Sequence, residues 1–356
     1  MSADRPRFRV ALTRDFYDEG GALRFRDAGL DVFAGHPQVE VCPFAEHRPR
    51  IGADQLRGAQ AVLVLTPAVT RETLANSQDL LAVSRFGVGY DAVDVPACTE
   101  ADVVVLIAAG AVDRSVAEAT LAWMLALTHH VRTKDALVRS GRWHERTRFM
   151  GRELRDRTLG VIGLGGIART LVRLLAGFGM NQPLAFDPYV GPDVAGPLGV
   201  RLVGLDELLA ASDFVSIHCP LTGRTRGLIG ARELALMRAD AYLINTARGG
   251  IVDEDALYEA LARGRPAGAA IDCFAEEPVT RPHRLGTLDN VLLAPHSIAW
   301  TDEMFRDVGR TACRGLLDLA LGRRPHGVVN PEVFERDGFR RKWARLTGAG
   351  DRKQEG

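Results

Sequence analysis

Arg157-Thr-Leu-Gly-Val-Ile-Gly163-Leu164-Gly165-Gly166-Ile167-Ala168, continued by Arg169-Thr-Leu-Val-Arg-Leu-Leu-Ala176, is the stretch that decides the fold. Arg157 to Gly163 reads as a buried strand, and the residues after it form G-x-G-x-x-A at the mouth of an apolar-periodic helix. Gly163 permits a tight turn, Gly165 lets the backbone approach a pyrophosphate, and Ala168 is small enough for close helix-on-strand packing. The helix start then offers unpaired N–H groups and a positive dipole end to phosphate. The next strand, Pro183 to Phe186, ends in Asp187, which lies 24 residues after Gly163. That is near the spacing of the carboxylate that accepts both ribose hydroxyls of a dinucleotide. Its charge repels a 2′-phosphate, and no arginine follows in Asp187-Pro188-Tyr189, so NAD is expected rather than NADP.

Three further apolar runs read as buried parallel strands, each ending in a loop with one ionisable residue. Ala241–Asn245 runs into Thr246-Ala247-Arg248, Gly268–Ile271 into the loop holding Glu277, and Val291–Ala294 into Pro295-His296. In a doubly wound sheet, ligands bind outside the carboxyl ends of the strands, so the three residues are expected on one rim. Histidine can give and take a proton near neutrality, a carboxylate beside it fixes its tautomer, and an arginine fork anchors a carboxylate. Hydride reduction of a 2-oxo acid needs those three services.

The rest of the chain fits an α/β protein. Phe8–Leu12, Ala61–Leu65 and Leu81–Ser84 read as strands in a first domain. A helix is expected from Ser115 to about Thr133, with Ser115 as N-cap and Glu118 as its capping-box partner. From Asp302 another helix leads to Val-Val-Asn-Pro-Glu-Val, which can return to the first domain. After Val333 the chain is charged and lacks sustained periodicity, and it is expected to be a mobile extension. The 356 residues carry 45 basic and 45 acidic side chains, so no net field attracts nucleic acid or an anionic membrane. The five scattered cysteines suggest neither disulfides nor a metal site. The three lysines sit on a polar helix face or in the charged tail, which argues against a Schiff base. With no membrane-length apolar run and no signal-like N-terminus, a soluble cytoplasmic protein is expected.

The motifs FGVGYDAVDV (86–95), SVAEATLAWML, GLGGIA, AFDPYV, VSIHCPLTGRTRGLI, LINTARGGIVDEDAL, AIDCFAEEP, APHSIAWT and VVNPEV together resemble the D-isomer-specific 2-hydroxyacid dehydrogenases over roughly residues 60–331. The resemblance implies two doubly wound parallel-sheet domains. A Rossmann-type NAD domain (111–299) is inserted into a flavodoxin-like substrate domain (1–110 and 300–333), leaving 334–356 as the extension. It implies an active arginine, glutamate and histidine at Arg248, Glu277 and His296. Cofactor contacts fall at Val88, Gly166, Ile167, Cys219, Thr246, Ala247 and Asp272, with Asp187 on the ribose. Backbone N–H groups of Gly87, Val88 and Gly89 would hold the substrate carboxylate, and a homodimer would form through the helix beginning near Ser115. Where relatives acting on phosphoglycerate carry a basic residue, this chain has Val64-Leu65-Thr66-Pro67-Ala68, which speaks against that substrate. The segment Ala108–Asp113 departs from the family's asparagine-containing turn, so a contact there is expected to be altered. The expected activity is exchange of hydride between NADH and a small 2-oxo acid. Phosphite or phosphonate oxidation, and an NAD-binding corepressor-like scaffold, share the same residues and remain as alternatives.

Overall fold

The computed structural model describes residues 7–75 and 77–347. Two compact units divide the chain: one combines the residues before Asp113 with those after Trp300, and the other is Asp113–Trp300.

In the first unit, β1 (Phe8–Leu12), β2 (Val39–Pro43), β3 (Ala61–Val64), β4 (Ala82–Arg85) and β5 (Val104–Leu106) form a parallel sheet in the order β2-β1-β3-β4-β5. This is the flavodoxin-like order. β3 and β5 are buried throughout, as near-continuous Val/Leu/Ala runs require when both faces of a parallel sheet are covered. The returning segment closes the outer edge: Val328 bridges Leu106, Val329 N donates to Val105 O at 2.9 Å, and buried Asn330 accepts from Val105 N at 2.8 Å.

The second unit holds β6 (Leu159–Ile162), β7 (Leu184–Phe186), β8 (Arg201–Leu202), β9 (Phe214–Ile217), β10 (Tyr242–Asn245), β11 (Gly268–Ile271) and β12 (Val291–Leu293). They form one parallel sheet in the order β12-β11-β10-β9-β6-β7-β8, with the order reversing between β6 and β9. The register pairs Ile162 with Ile217, Ile217 with Asn245, Asn245 with Ile271, and Ile271 with Leu293. Five strands therefore end level, and their following loops share one rim. The helix Gly166–Leu175 packs on this sheet through Ala168, Leu171, Val172 and Leu175, the i, i+3, i+4, i+7 stripe of an amphipathic helix.

Two expectations are corrected. The single helix expected from Ser115 to about Thr133 is two helices, Asp113–Thr128 and Val131–Arg139, because His130 takes a left-handed conformation (φ 52°) that no α-helix continues through. Ser115 lies inside the first turn rather than at the cap, and Glu118 receives the Arg114 guanidinium. The second correction concerns the expected mobile extension. Asp337–Thr347 is a helix, Phe339 is fully buried, and Phe334, Phe339 and Trp343 pack ring to ring at centroid distances of 5.0–5.6 Å. Lys342, expected in a charged tail, instead donates to the carbonyls of Leu80, Ala101 and Asp102 at 2.9–3.0 Å. Residues 348–356 lie outside the described residues.

Charge-assisted bonds of this kind contribute about 1.5–3 kcal/mol each, less what water recovers after truncation. Lys342→Ala is therefore expected to lower unfolding stability by about 2 kcal/mol, read by urea denaturation, and to expose Trp343 to fluorescence quenching.

Candidate active site

The rim of the seven-stranded sheet carries nearly all the residues singled out from sequence. After β6, Gly163 turns with φ +93°, and a Cβ there would meet the backbone N of Cys219, past β9, at 2.8 Å. Only glycine lets the two loops at the reversal point approach so closely. At Gly165 the reason differs: a Cβ would meet no protein atom within 4 Å. The space in front of it is open, and the first-turn N–H groups of Gly166 and Ile167 have no intrahelical acceptor and no side-chain cap. That cradle fits a pyrophosphate. The Asp187 carboxylate stands beside it, accepting from Leu164 N at 2.8 Å and Tyr189 N at 2.9 Å.

Asp113, in the segment expected to be altered, brings its carboxylate against Gly166, where a Cβ would lie 1.9 Å from Oδ2; burial raises its pKa. Burial likewise pushes the Cys219 thiol up to about 11, so it stays a neutral wall of the turn.

Asp187 is held in place by two backbone donors and retains lone pairs for a ribose diol. Losing such charge-assisted bonds costs about 1.5–3 kcal/mol, or roughly 10- to 100-fold in affinity. Asp187→Ala is expected to weaken NADH binding by that factor in a fluorescence titration, with discrimination against NADPH falling in parallel.

Arg248, Glu277 and His296 follow β10, β11 and β12, three neighbouring strands. The His296 Nδ1 lies 2.7 Å from Glu277 Oε2, while Glu277 Oε1 accepts from Phe274 N at 2.8 Å. Burial alone would raise the Glu277 carboxyl. The hydrogen bonds from His296 and Phe274, with the charges of His296 and Arg248, outweigh it and hold the carboxyl below its ordinary value. Glu277 is thus an anion that holds the His296 ring in place through Nδ1. The His296 side chain is 44% exposed, so its ring is not sealed in the interior.

The loops are fixed from beneath by polar residues that sequence reading missed or gave other roles. Buried Asn245 accepts from Ala247 N at 3.1 Å and donates to Arg248 O at 2.9 Å, pinning the Arg248 turn. Buried Asp272, assigned from resemblance to the cofactor, accepts from Ser297 N (2.9 Å) and Ile298 N (3.2 Å), and its carbonyl accepts from His296 N (2.8 Å). These bonds hold His296 at φ +53°, a left-handed conformation uncommon for a non-glycine residue. A polar residue at the last position of an otherwise apolar strand is the available signal for Asn245.

Thr246 places its hydroxyl 3.4 Å from that of Thr120. His218, after β9, has Nε2 2.8 Å from Ser216 Oγ, and burial pushes its pKa down to about 4, so this ring stays neutral. Its Nδ1 is buried with no hydrogen-bond partner among the described residues.

Gly87, Val88 and Gly89 lie in the first unit, after β4. Gly87 has φ +150°, and its carbonyl accepts from Ala108 N at 2.9 Å. Arg85 braces this loop, donating to Gly89 O at 2.8 Å and Val64 O at 2.9 Å.

The family profile for the D-isomer specific 2-hydroxyacid dehydrogenase, NAD binding domain, matches residues 121–297. The glyoxylate reductase of Thermococcus litoralis is 35% identical over 314 residues, 86% of this chain and 94% of that protein. The D-3-phosphoglycerate dehydrogenase of Methanocaldococcus jannaschii is 40% identical over 279 residues, 78% of this chain but 53% of that protein. The chain thus spans about half the length of the phosphoglycerate dehydrogenases it matches. Among solved structures, a glyoxylate reductase from Paecilomyes thermophila superposes with a TM-score of 0.77 at 27% identity, covering 91% of this chain and 98% of that one. D-lactate dehydrogenase from Aquifex aeolicus, complexed with NAD and lactic acid, gives 0.74 at 26% identity, covering 88% and 96%. This chain belongs to the D-isomer-specific 2-hydroxyacid dehydrogenase family and carries its NAD-binding domain.

Proposed function

We propose that the chain is an NAD-dependent oxidoreductase that interconverts a small 2-oxo acid and the corresponding D-2-hydroxy acid. The observation that carries this reading is the 2.7 Å His296–Glu277 pair on the rim that also holds the dinucleotide cradle. Bound NADH supplies the hydride. His296 gives its Nε2 proton to the oxygen on C2 and recovers it in the reverse direction. Glu277 keeps Nδ1–H as the donor and stabilises the imidazolium. Arg248 binds the substrate carboxylate and polarises the carbonyl. Gly163, Gly165, Gly166, Ile167, Asp187, Cys219, Thr246, Ala247 and Asp272 serve the cofactor.

A small, uncharged substrate tail fits best. The loop after β3 carries no cation at Val64-Leu65-Thr66-Pro67-Ala68, and neighbouring Arg85 is engaged with carbonyls of that loop and of Gly89. Two relatives matched along nearly their whole length are named glyoxylate reductases. We further propose a cytoplasmic homodimer. Among the described residues no helix is long and apolar enough to cross a membrane. Val131, Val138, Trp143 and Met150 expose apolar side chains along one segment of the second unit, which supports a subunit contact there.

Steady-state NADH oxidation with glyoxylate, hydroxypyruvate, phenylpyruvate, phosphonopyruvate and phosphohydroxypyruvate tests the reading. Glyoxylate or hydroxypyruvate is expected to give the highest kcat/KM. Feeble rates throughout would instead favour a scaffold role, and phosphite-dependent NAD reduction would favour phosphite oxidation.

A further inference from the structure

We propose that Cys273, Glu277 and His296 together form an inhibitory site for a thiophilic divalent cation, with zinc the best fit. One donor atom from each, the Cys273 Sγ, a Glu277 carboxylate oxygen and a His296 ring nitrogen, lie within 4.8 Å of one another. Any three points so placed share a point no more than about 2.8 Å from each, and zinc bonds of about 2.0–2.3 Å then need only small side-chain rotations. Thiolate, imidazole and carboxylate make a mixed set that suits zinc and disfavours the hard cations magnesium and calcium.

The fold brings the three together for reasons independent of any metal. Cys273 and Glu277 belong to the loop after β11, and His296 to the loop after the adjacent β12. Cys273 is buried and its Sγ lies 3.5 Å from Ala247 O, so it forms the floor. Glu277 and His296, 33% and 44% exposed, form the open side through which a hydrated cation reaches the thiol.

Binding exchanges protons for the metal: the thiol proton and the proton shared between His296 Nδ1 and Glu277 leave for solvent, and Nε2 keeps its own. A neutral, metal-held imidazole is a far weaker acid than the imidazolium it replaces, and Glu277 is occupied as a ligand. Inhibition therefore rests on the activity proposed above, whereas metal binding does not. The Asp187 and Gly163–Gly166 region is untouched, so NADH still binds.

The test uses the full chain, stripped with a chelator and titrated with Co2+ and then Zn2+. One equivalent of Co2+ is expected to give a near-ultraviolet thiolate-to-cobalt charge-transfer band that Zn2+ displaces. The band should persist in Cys42→Ser, which removes a partly exposed thiol, and vanish in Cys273→Val. Zinc should inhibit NADH oxidation reversibly, with the concentration for half-inhibition rising at least about tenfold in Cys273→Val. If Cys273→Val does not fold, Glu277→Gln should bind Co2+ at least about tenfold more weakly while keeping the band. No band in the wild-type chain, a band that survives in Cys273→Val, or equal zinc sensitivity of the two chains would overturn the proposal. Should no 2-oxo acid be turned over at all, the cobalt spectrum still decides the metal site by itself.

Discussion

Turnover of the His296→Gln variant is expected to fall by roughly 10²- to 10⁴-fold, about 3–5 kcal/mol of transition-state stabilisation. Glutamine keeps a hydrogen-bonding side chain of similar reach but holds no proton to give. The loop should keep its shape, because Asp272 fixes it through the backbone N–H groups of His296, Ser297 and Ile298 rather than through the ring. NADH binding should therefore change by less than about twofold, and the loss should fall on kcat rather than on KM. Stopped-flow single turnovers separate the two. Unchanged turnover would remove His296 from the chemistry.

The second large effect concerns a residue with no functional group. A Cβ on Gly249 would lie 1.9 Å from Phe274 O, 2.0 Å from Phe274 C and 2.5 Å from Ala275 N. Those atoms are backbone, so one loop must move. The Arg248 turn and the Glu277 loop meet at this point, and Gly249→Ala must push them apart. Overpacking of this kind costs about 1–3 kcal/mol of stability. A shift of about 1 Å between groups that act together costs on the order of 10² in rate. The variant is expected to remain folded at 25 °C with a lowered Tm and kcat/KM reduced about 100-fold. Gly177→Ala, where a Cβ meets nothing within 4 Å, serves as the control and should leave both unchanged.

The parts of this molecule that sequence revealed are those whose signals are local. The strand, turn and helix around Gly163 lie in one unbroken stretch, and the runs ending at Asn245 and Ile271 are buried throughout, as expected. The third, β12, is a strand but not a buried one, because it is the edge of the sheet and leaves Leu293 exposed. Once those strands are placed in one sheet, level register brings Arg248, Glu277 and His296 to one rim. β2, β5, β8 and β9 are absent from the strands expected from sequence. β5 and β8 have three and two residues, too short for periodicity, although Phe214-Val-Ser-Ile at β9 carries a usable β-branched signal.

The break at His129-His130 has no marker, since neither glycine nor proline punctuates it. The turn is instead held from outside, with Thr128 O accepting from Arg152 N at 3.0 Å. The C-terminal helix escaped because its apolar stripe is narrow: Phe339 and Trp343, four residues apart, carry it, and the rest is charged. Its docking depends on Lys342 meeting carbonyls some 240 residues earlier, a tertiary fact that no local pattern encodes. Asn245 and Asp272 as pins of the site loops belong to the same class.

The pH dependence of kcat/KM in both directions tests the proton role of His296 most directly. Reduction of the 2-oxo acid needs the ring protonated and oxidation of the hydroxy acid needs it free. The reduction limb should therefore fall, and the oxidation limb rise, as pH increases through the same region. Both limbs should be absent from the residual activity of His296→Gln. Limbs that slope the same way in the two directions, or that survive the substitution, would place the proton donor elsewhere in the molecule.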